Sequence, residues 1–86
     1  MMADAKTVTR LLKTARGQLD GILTMIEEDR YCMDISQQLL AVDALVRRAN
    51  KEVLTAHLKH CVEQADTPQD RAQKVDELVA GLGKRL

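Results

Sequence analysis

Between Lys6 and Glu28 the apolar side chains fall at Val8, Leu11, Leu12, Ala15, Leu19, Ile22, Leu23 and Ile26. Steps of three and four residues trace one face of an amphipathic helix, since a helix turns about 100° per residue. Gly17 and Gly21, four apart, share a side on which another helix could approach closely, at some loss of helix propensity. Glu-Glu-Asp-Arg-Tyr at 27–31 breaks the period and predicts a junction. A second period, Ile35, Leu39, Val42, Val46, Ala49 and Val53, predicts a helix from Cys32 or Met33 to Gln64 or Ala65, with no Gly or Pro inside it. At about 1.5 Å per residue such a helix is roughly 45–50 Å long, more than two shorter helices could cover in one copy. The excess points to oligomerisation. Thr67-Pro68-Gln69-Asp70 opens a third helix, with Thr67 as N-cap, Pro68 at the first helical position and Asp70 standing in for a capping-box glutamate. Val75, Leu78, Val79 and Leu82 give it an apolar face, and Gly83 ends it. The expected fold is all-α, three helices with a long central one, in a single domain over residues 6–86 behind a disordered tail at 1–5.

Composition sharpens that picture. The chain has 86 residues and 45% are hydrophobic, yet Tyr31 is its only aromatic, so the core must be aliphatic. A domain this small buries only about 60% of its unfolded surface, which suits helices that pack against partner subunits. Thirteen basic and thirteen acidic residues cancel, so nucleic-acid binding must rest on local patches. Neither a membrane-length apolar run nor a signal-peptide pattern is visible, and a cytoplasmic protein is expected. In that reducing compartment, two cysteines read as thiols for metal or redox chemistry.

His57 and Cys61 lie one turn apart on one face of the second helix. A thiolate and an imidazole so placed can share an ion, and the pair suits Cu(I), Zn(II) or Ni(II). Core packing accounts for most such pairs in helical proteins, but Cys32 changes the weighing. It is the only other thiol, and in an unbroken helix it sits roughly 37 Å from His57. Metal bonds of about 2.0–2.3 Å cannot span that gap. Two copies packed antiparallel about a two-fold axis would join Cys32 of one to His57 and Cys61 of the other, giving two equivalent sites. His60 is the competing ligand; it lies about 60° from the His57 direction, toward the expected solvent side.

Basic residues gather in two stripes. Lys6, Arg10, Lys13 and Arg16 fall at about 0°, 40°, −20° and −80° on the wheel of the first helix, and Arg47, Arg48 and Lys51 lie on the second. Most such stripes only solvate a face. Multiplied by an assembly, these two could track DNA phosphates. No helix-turn-helix is evident, so recognition would lean on backbone contacts and DNA shape.

Arg-Gly-Gln-Leu-Asp-Gly-Ile at 16–22, Asp-Arg-Tyr-Cys-Met-Asp at 29–34, Arg-Arg-Ala-Asn-Lys-Glu-Val-Leu at 47–54 and His-Leu-Lys-His-Cys at 57–61 resemble the copper-sensitive operon repressor family. The likeness runs from about Val8 to Leu82. It implies an all-helical dimer of dimers that holds operator DNA when metal-free. Cu(I) bound across the dimer interface by two sulfurs and one nitrogen then releases the DNA and derepresses copper-resistance genes. A copper chaperone is the implied source of the metal. On this resemblance Cys32, His57 and Cys61 are the ligands. Tyr31 and Glu77 match positions where a phenol or carboxylate hydrogen-bonds the imidazole nitrogen not bound to metal. Lys13, Arg16, Gln18, Arg48 and Lys51 match DNA-contact positions. Many members carry a basic residue where Leu11 stands here, and Arg10 is adjacent but about 100° away.

Four rival readings stay open, one of them the family's formaldehyde-responsive branch, which keeps the first cysteine but lacks a thiol where Cys61 stands here. A persulfide sensor would use Cys32 and Cys61 alone, and His57 argues against it. A nickel or cobalt sensor would want nitrogen or oxygen ligands near the N-terminus, and no histidine precedes His57. A copper buffer with no DNA role is the alternative from another class. An enzyme is not expected, since no nucleophile–base set or phosphate loop is present.

Overall fold

The computed structural model describes residues 1–64 and 67–83; Ala65 and the side chains of Leu78 and Leu82 lie outside that description. Three helices follow one another: α1 (Ala5–Glu27), α2 (Cys32–Glu63) and α3 (Pro68–Gly83). No strand occurs among the described residues, and no helix there is long and apolar enough to cross a membrane.

Each helix begins and ends where its local chemistry directs. Asp4 caps α1, its carboxylate accepting from the Thr7 hydroxyl at 2.6 Å and the Lys6 N–H at 3.3 Å. Together these hold its pKa below the ordinary carboxylate value. At the other end, the Asp29 N–H donates to the Ile26 carbonyl (3.1 Å) and the Arg30 N–H to that of Met25 (3.0 Å). That pairing is a Schellman closure, and it puts Asp29 in the left-handed region at φ 53°. The Tyr31 carbonyl accepts from the N–H groups of Asp34 and Ile35 and so opens α2. Thr67 caps α3 as its sequence predicts, its hydroxyl accepting from the Asp70 N–H at 3.0 Å.

The chain divides into two compact units, one over Asp4–Lys51 and one over Glu52–Leu86 with Met1–Ala3. In the first, α1 packs against the opening turns of α2. Ala15, Ile22 and Val42 form a buried cluster, with Ile35 and Leu45 packed on it. Val8, Leu11 and Ala49 are buried too. The single apolar face expected of α1 resolves into two rows. Leu12, Leu19, Leu23 and Ile26 remain 45–58% exposed, because eight apolar positions span a wider arc than one neighbouring helix can cover. On α2 the same holds for Leu39, Leu40 and Val46. Gly17 and Gly21 lie on the side of α1 away from the buried row. A Cβ at either would meet nothing within 4 Å, so the close helix approach expected there is not made within the described protomer.

In the second unit the last turns of α2 and helix α3 are lined by half-buried Val53, Leu54, Leu58, Val62 and Val75. Val79 is 59% exposed. Lys74 and Asp70, one turn apart on α3, form an ion pair at 3.3 Å.

Candidate metal centre

Cys61 Sγ lies 3.4 Å from His57 Nε2. An ion bonded at about 2.3 Å to sulfur and about 2.0 Å to nitrogen, with a trigonal or tetrahedral angle between, holds its two donors about 3.5–3.7 Å apart. The pair therefore already stands at chelating separation, and the regular i, i+4 geometry of α2 puts it there. In the metal-free protein the contact is a thiol–imidazole hydrogen bond whose direction depends on the ring tautomer. Sulfur and nitrogen together form a soft donor set, the kind that favours Cu(I) over hard cations.

Cys32 is exposed in the first turn of α2, while His57 and Cys61 occupy its last two turns. Both cysteines are free thiols. Since α2 is unbroken, the third predicted donor stands at the opposite end of the same helix from the other two. Among the described residues no three His, Cys, Asp or Glu side chains come together. His57 is exposed and His60 half-buried, the reverse of the expected solvent placement, because the face carrying His57 is the one the described protomer leaves open.

Glu77 accepts a hydrogen bond from Gln73, its neighbour on α3, at 3.4 Å. Tyr31 is 66% exposed, and its hydroxyl makes no hydrogen bond among the described residues. Neither side chain has an imidazole partner among the described residues.

The basic residues separate by helix face. Lys6, Thr9, Arg10, Lys13 and Thr14 line a shallow groove on α1, on the side turned from the buried row. Arg16, Arg48 and Lys51 are exposed and make no ion pair among the described residues. Arg47 pairs with Asp43 at 2.8 Å, one turn away on α2, with both side chains exposed. Leu11 is 4% exposed; this chain uses that position for packing. Gln18 stands apart from the cations, for its Oε1 is buried without a hydrogen-bond partner among the described residues. No sequence signal announces that, because a glutamine beside apolar neighbours reads the same whether its amide is in or out.

The profile of the metal-sensitive transcriptional repressors matches residues 4–84. The chain belongs to that family. A copper-sensing transcriptional repressor CsoR of Mycobacterium ulcerans (strain Agy99) is 46% identical over 68 residues, covering 79% of this chain and 58% of its own length. The CsoR of Bacillus subtilis (strain 168) is 40% identical over 72 residues, 84% of this chain and 71% of its own. The chain thus spans less than two thirds of the M. ulcerans relative. Among solved metal-sensitive repressors, the Cu(I)-bound CsoR of Geobacillus thermodenitrificans NG80-2 superposes with a TM-score of 0.79 at 32% identity, covering 92% of this chain and 82% of that one. The nickel-responsive regulator InrS superposes at 0.83 with 24% identity over the whole chain and 97% of its own, a likeness of fold alone. The family likeness seen at residues 16–22, 29–34, 47–54 and 57–61 is borne out.

Proposed function

We propose that this chain is a Cu(I)-responsive transcriptional repressor of the cytoplasm, which binds operator DNA when metal-free and leaves it when Cu(I) binds. The Cys61–His57 contact at 3.4 Å carries the reading, as a preformed soft chelate in a chain whose relatives are named copper-sensing repressors. Cys32 of a second, antiparallel copy completes a donor set of two sulfurs and one nitrogen, since an unbroken α2 keeps the three apart within one protomer. Exposed apolar rows on α1 and α2 are the surface for that pairing, and a dimer of dimers extends it. Tyr31 and Glu77 orient the imidazole from its free nitrogen.

Arg10, Lys13, Arg16, Arg48 and Lys51 meet phosphates. On the wheel, Arg10 and Lys13 turn about 130–170° from the buried row of α1, and Lys51 about 180° from that of α2. The two stripes therefore face away from each other in a protomer, and one DNA-binding surface needs several copies. Copper that favours one assembly geometry and DNA that favours another must weaken each other equally. X-ray absorption on the Cu(I)-loaded protein tests the site: three-coordinate copper with two sulfurs and one nitrogen, lost in His57→Ala, is expected. Cu(I) titrated into the protein–operator complex should release the DNA. Unchanged DNA affinity on copper loading would sink the proposal.

A further inference from the structure

Cys32, Leu39, Val46, Asn50, His57 and Cys61 lie on one stripe of α2. Counted at about 100° per residue from Leu39, Cys32 and Asn50 fall at about 20°, Val46 at about −20°, His57 at about 0° and Cys61 at about 40°. Leu39 and Val46 are 49% and 47% exposed, so the described protomer leaves the middle of the stripe open. Asn50 is half-buried, and its carboxamide makes no hydrogen bond among the described residues. An amide covered by a second helix would cost stability unless that helix brought it a partner.

The soft donors at the two ends of the stripe set a register. With Cys32 level with the midpoint of His57 and Cys61 on an antiparallel second copy, facing residue numbers add to about 91. Val46 then meets its own copy near the two-fold axis. Asn50 comes level with a point between the partner's Leu39 and the partner's Asp43. Asp43 falls at about 40° on the same wheel, within the stripe. Its Oδ2 is paired with Arg47 at 2.8 Å, and Oδ1 can accept a second donor.

Apolar packing alone does not select this register. Leu39 and Val46 are seven residues apart, so sliding one α2 by two turns still sets an apolar row on an apolar row. That slide would carry Cys32 about 10 Å from the other donors and Asn50 away from Asp43.

We propose that Asn50 pins the register of an antiparallel pairing of α2 with a second copy of this chain. Its NH2 donates to Oδ1 of the partner's Asp43, twice per dimer by symmetry. A single polar side chain in an apolar seam selects register at some cost in stability, and the register selected here is the one that completes the donor set. The inference rests on the intersubunit copper site proposed above.

Sedimentation and disulfide trapping of the full chain, without metal or DNA, test it. Asn50→Asp sets carboxylates against each other and should raise the concentration for half-dissociation about tenfold or more. Adding Asp43→Asn lets the amide donate from the other side and should restore assembly to within about threefold of wild type; loss of the exposed Asp43–Arg47 pair itself costs little. With both native thiols removed by Cys32→Ser and Cys61→Ser, Val46→Cys should oxidise to a linked dimer. Asn50→Leu in that background should cut the linked yield about threefold or more. Wild-type assembly in Asn50→Asp, no rescue by Asp43→Asn, or Val46→Cys that stays unlinked would overturn the pin. An operator complex that survives copper loading would instead overturn the repressor reading, a distinct result from a separate assay.

Discussion

Asp29 closes α1 at φ 53°, a region that carries a steric penalty for any residue with a Cβ. The Schellman hydrogen bonds from Asp29 and Arg30 require that conformation, so the strain is fixed by the helix end. The neighbouring Arg30–Glu28 pair, at 3.4 Å and exposed on both sides, contributes little against it. Asp29→Gly should therefore stabilise the protein by about 0.5–1 kcal/mol in urea unfolding. A variant no more stable than its parent would show that the aspartate side chain offsets the backbone strain. Asp29 stands three residues before Cys32, so this gain should come without moving a candidate ligand.

At the scale of elements, the start of α1 depends on one carboxylate. The Thr7 hydroxyl first, and then the Lys6 N–H, hold the Asp4 pKa low. A depressed pKa means the cap is at full strength at neutral pH and weakens as pH falls through that lowered value. Asp4→Ala should lower Tm at neutral pH, and the gap to wild type should narrow as acid is carried below the ordinary carboxylate range. A gap that is constant with pH would show that the charge is not what caps the helix. The helices themselves were largely legible. Thr67-Pro68 fixed the start of α3, and the absence of Gly and Pro fixed the continuity of α2. The i, i+4 spacing of His57 and Cys61 also survived, because helix geometry alone determines it. What escaped the sequence was which apolar row of α1 is covered. Val8 and Leu12 are both hydrophobic, and only tertiary packing leaves one at 8% exposure and the other at 46%. The buried Gln18 oxygen escaped for the same reason, being settled by neighbours rather than by period, whereas the Asp43–Arg47 ion pair follows from its i, i+4 spacing on α2.

For the whole molecule, the decisive quantity is what a lone protomer fails to bury. Leu19 and Leu23 are 45% and 58% exposed and Leu40 is 65% exposed, against six buried hydrophobic side chains among those described. So small a core gives marginal stability, and association adds to it by mass action. The double variant Leu19→Glu/Leu23→Glu changes no buried residue. If the proposed pairing runs through these rows, it should sediment at a lower mass than the wild type and lose the proposed three-coordinate Cu(I) site. Wild-type sedimentation would place the assembly surface elsewhere. Tyr31, bordering Cys32, has a further use. With no Trp or Phe in the chain, all of its near-ultraviolet fluorescence comes from this one exposed ring. Should Cu(I) bind at the proposed site beside it, a change in that emission would be a label-free optical signal local to the residue that precedes α2.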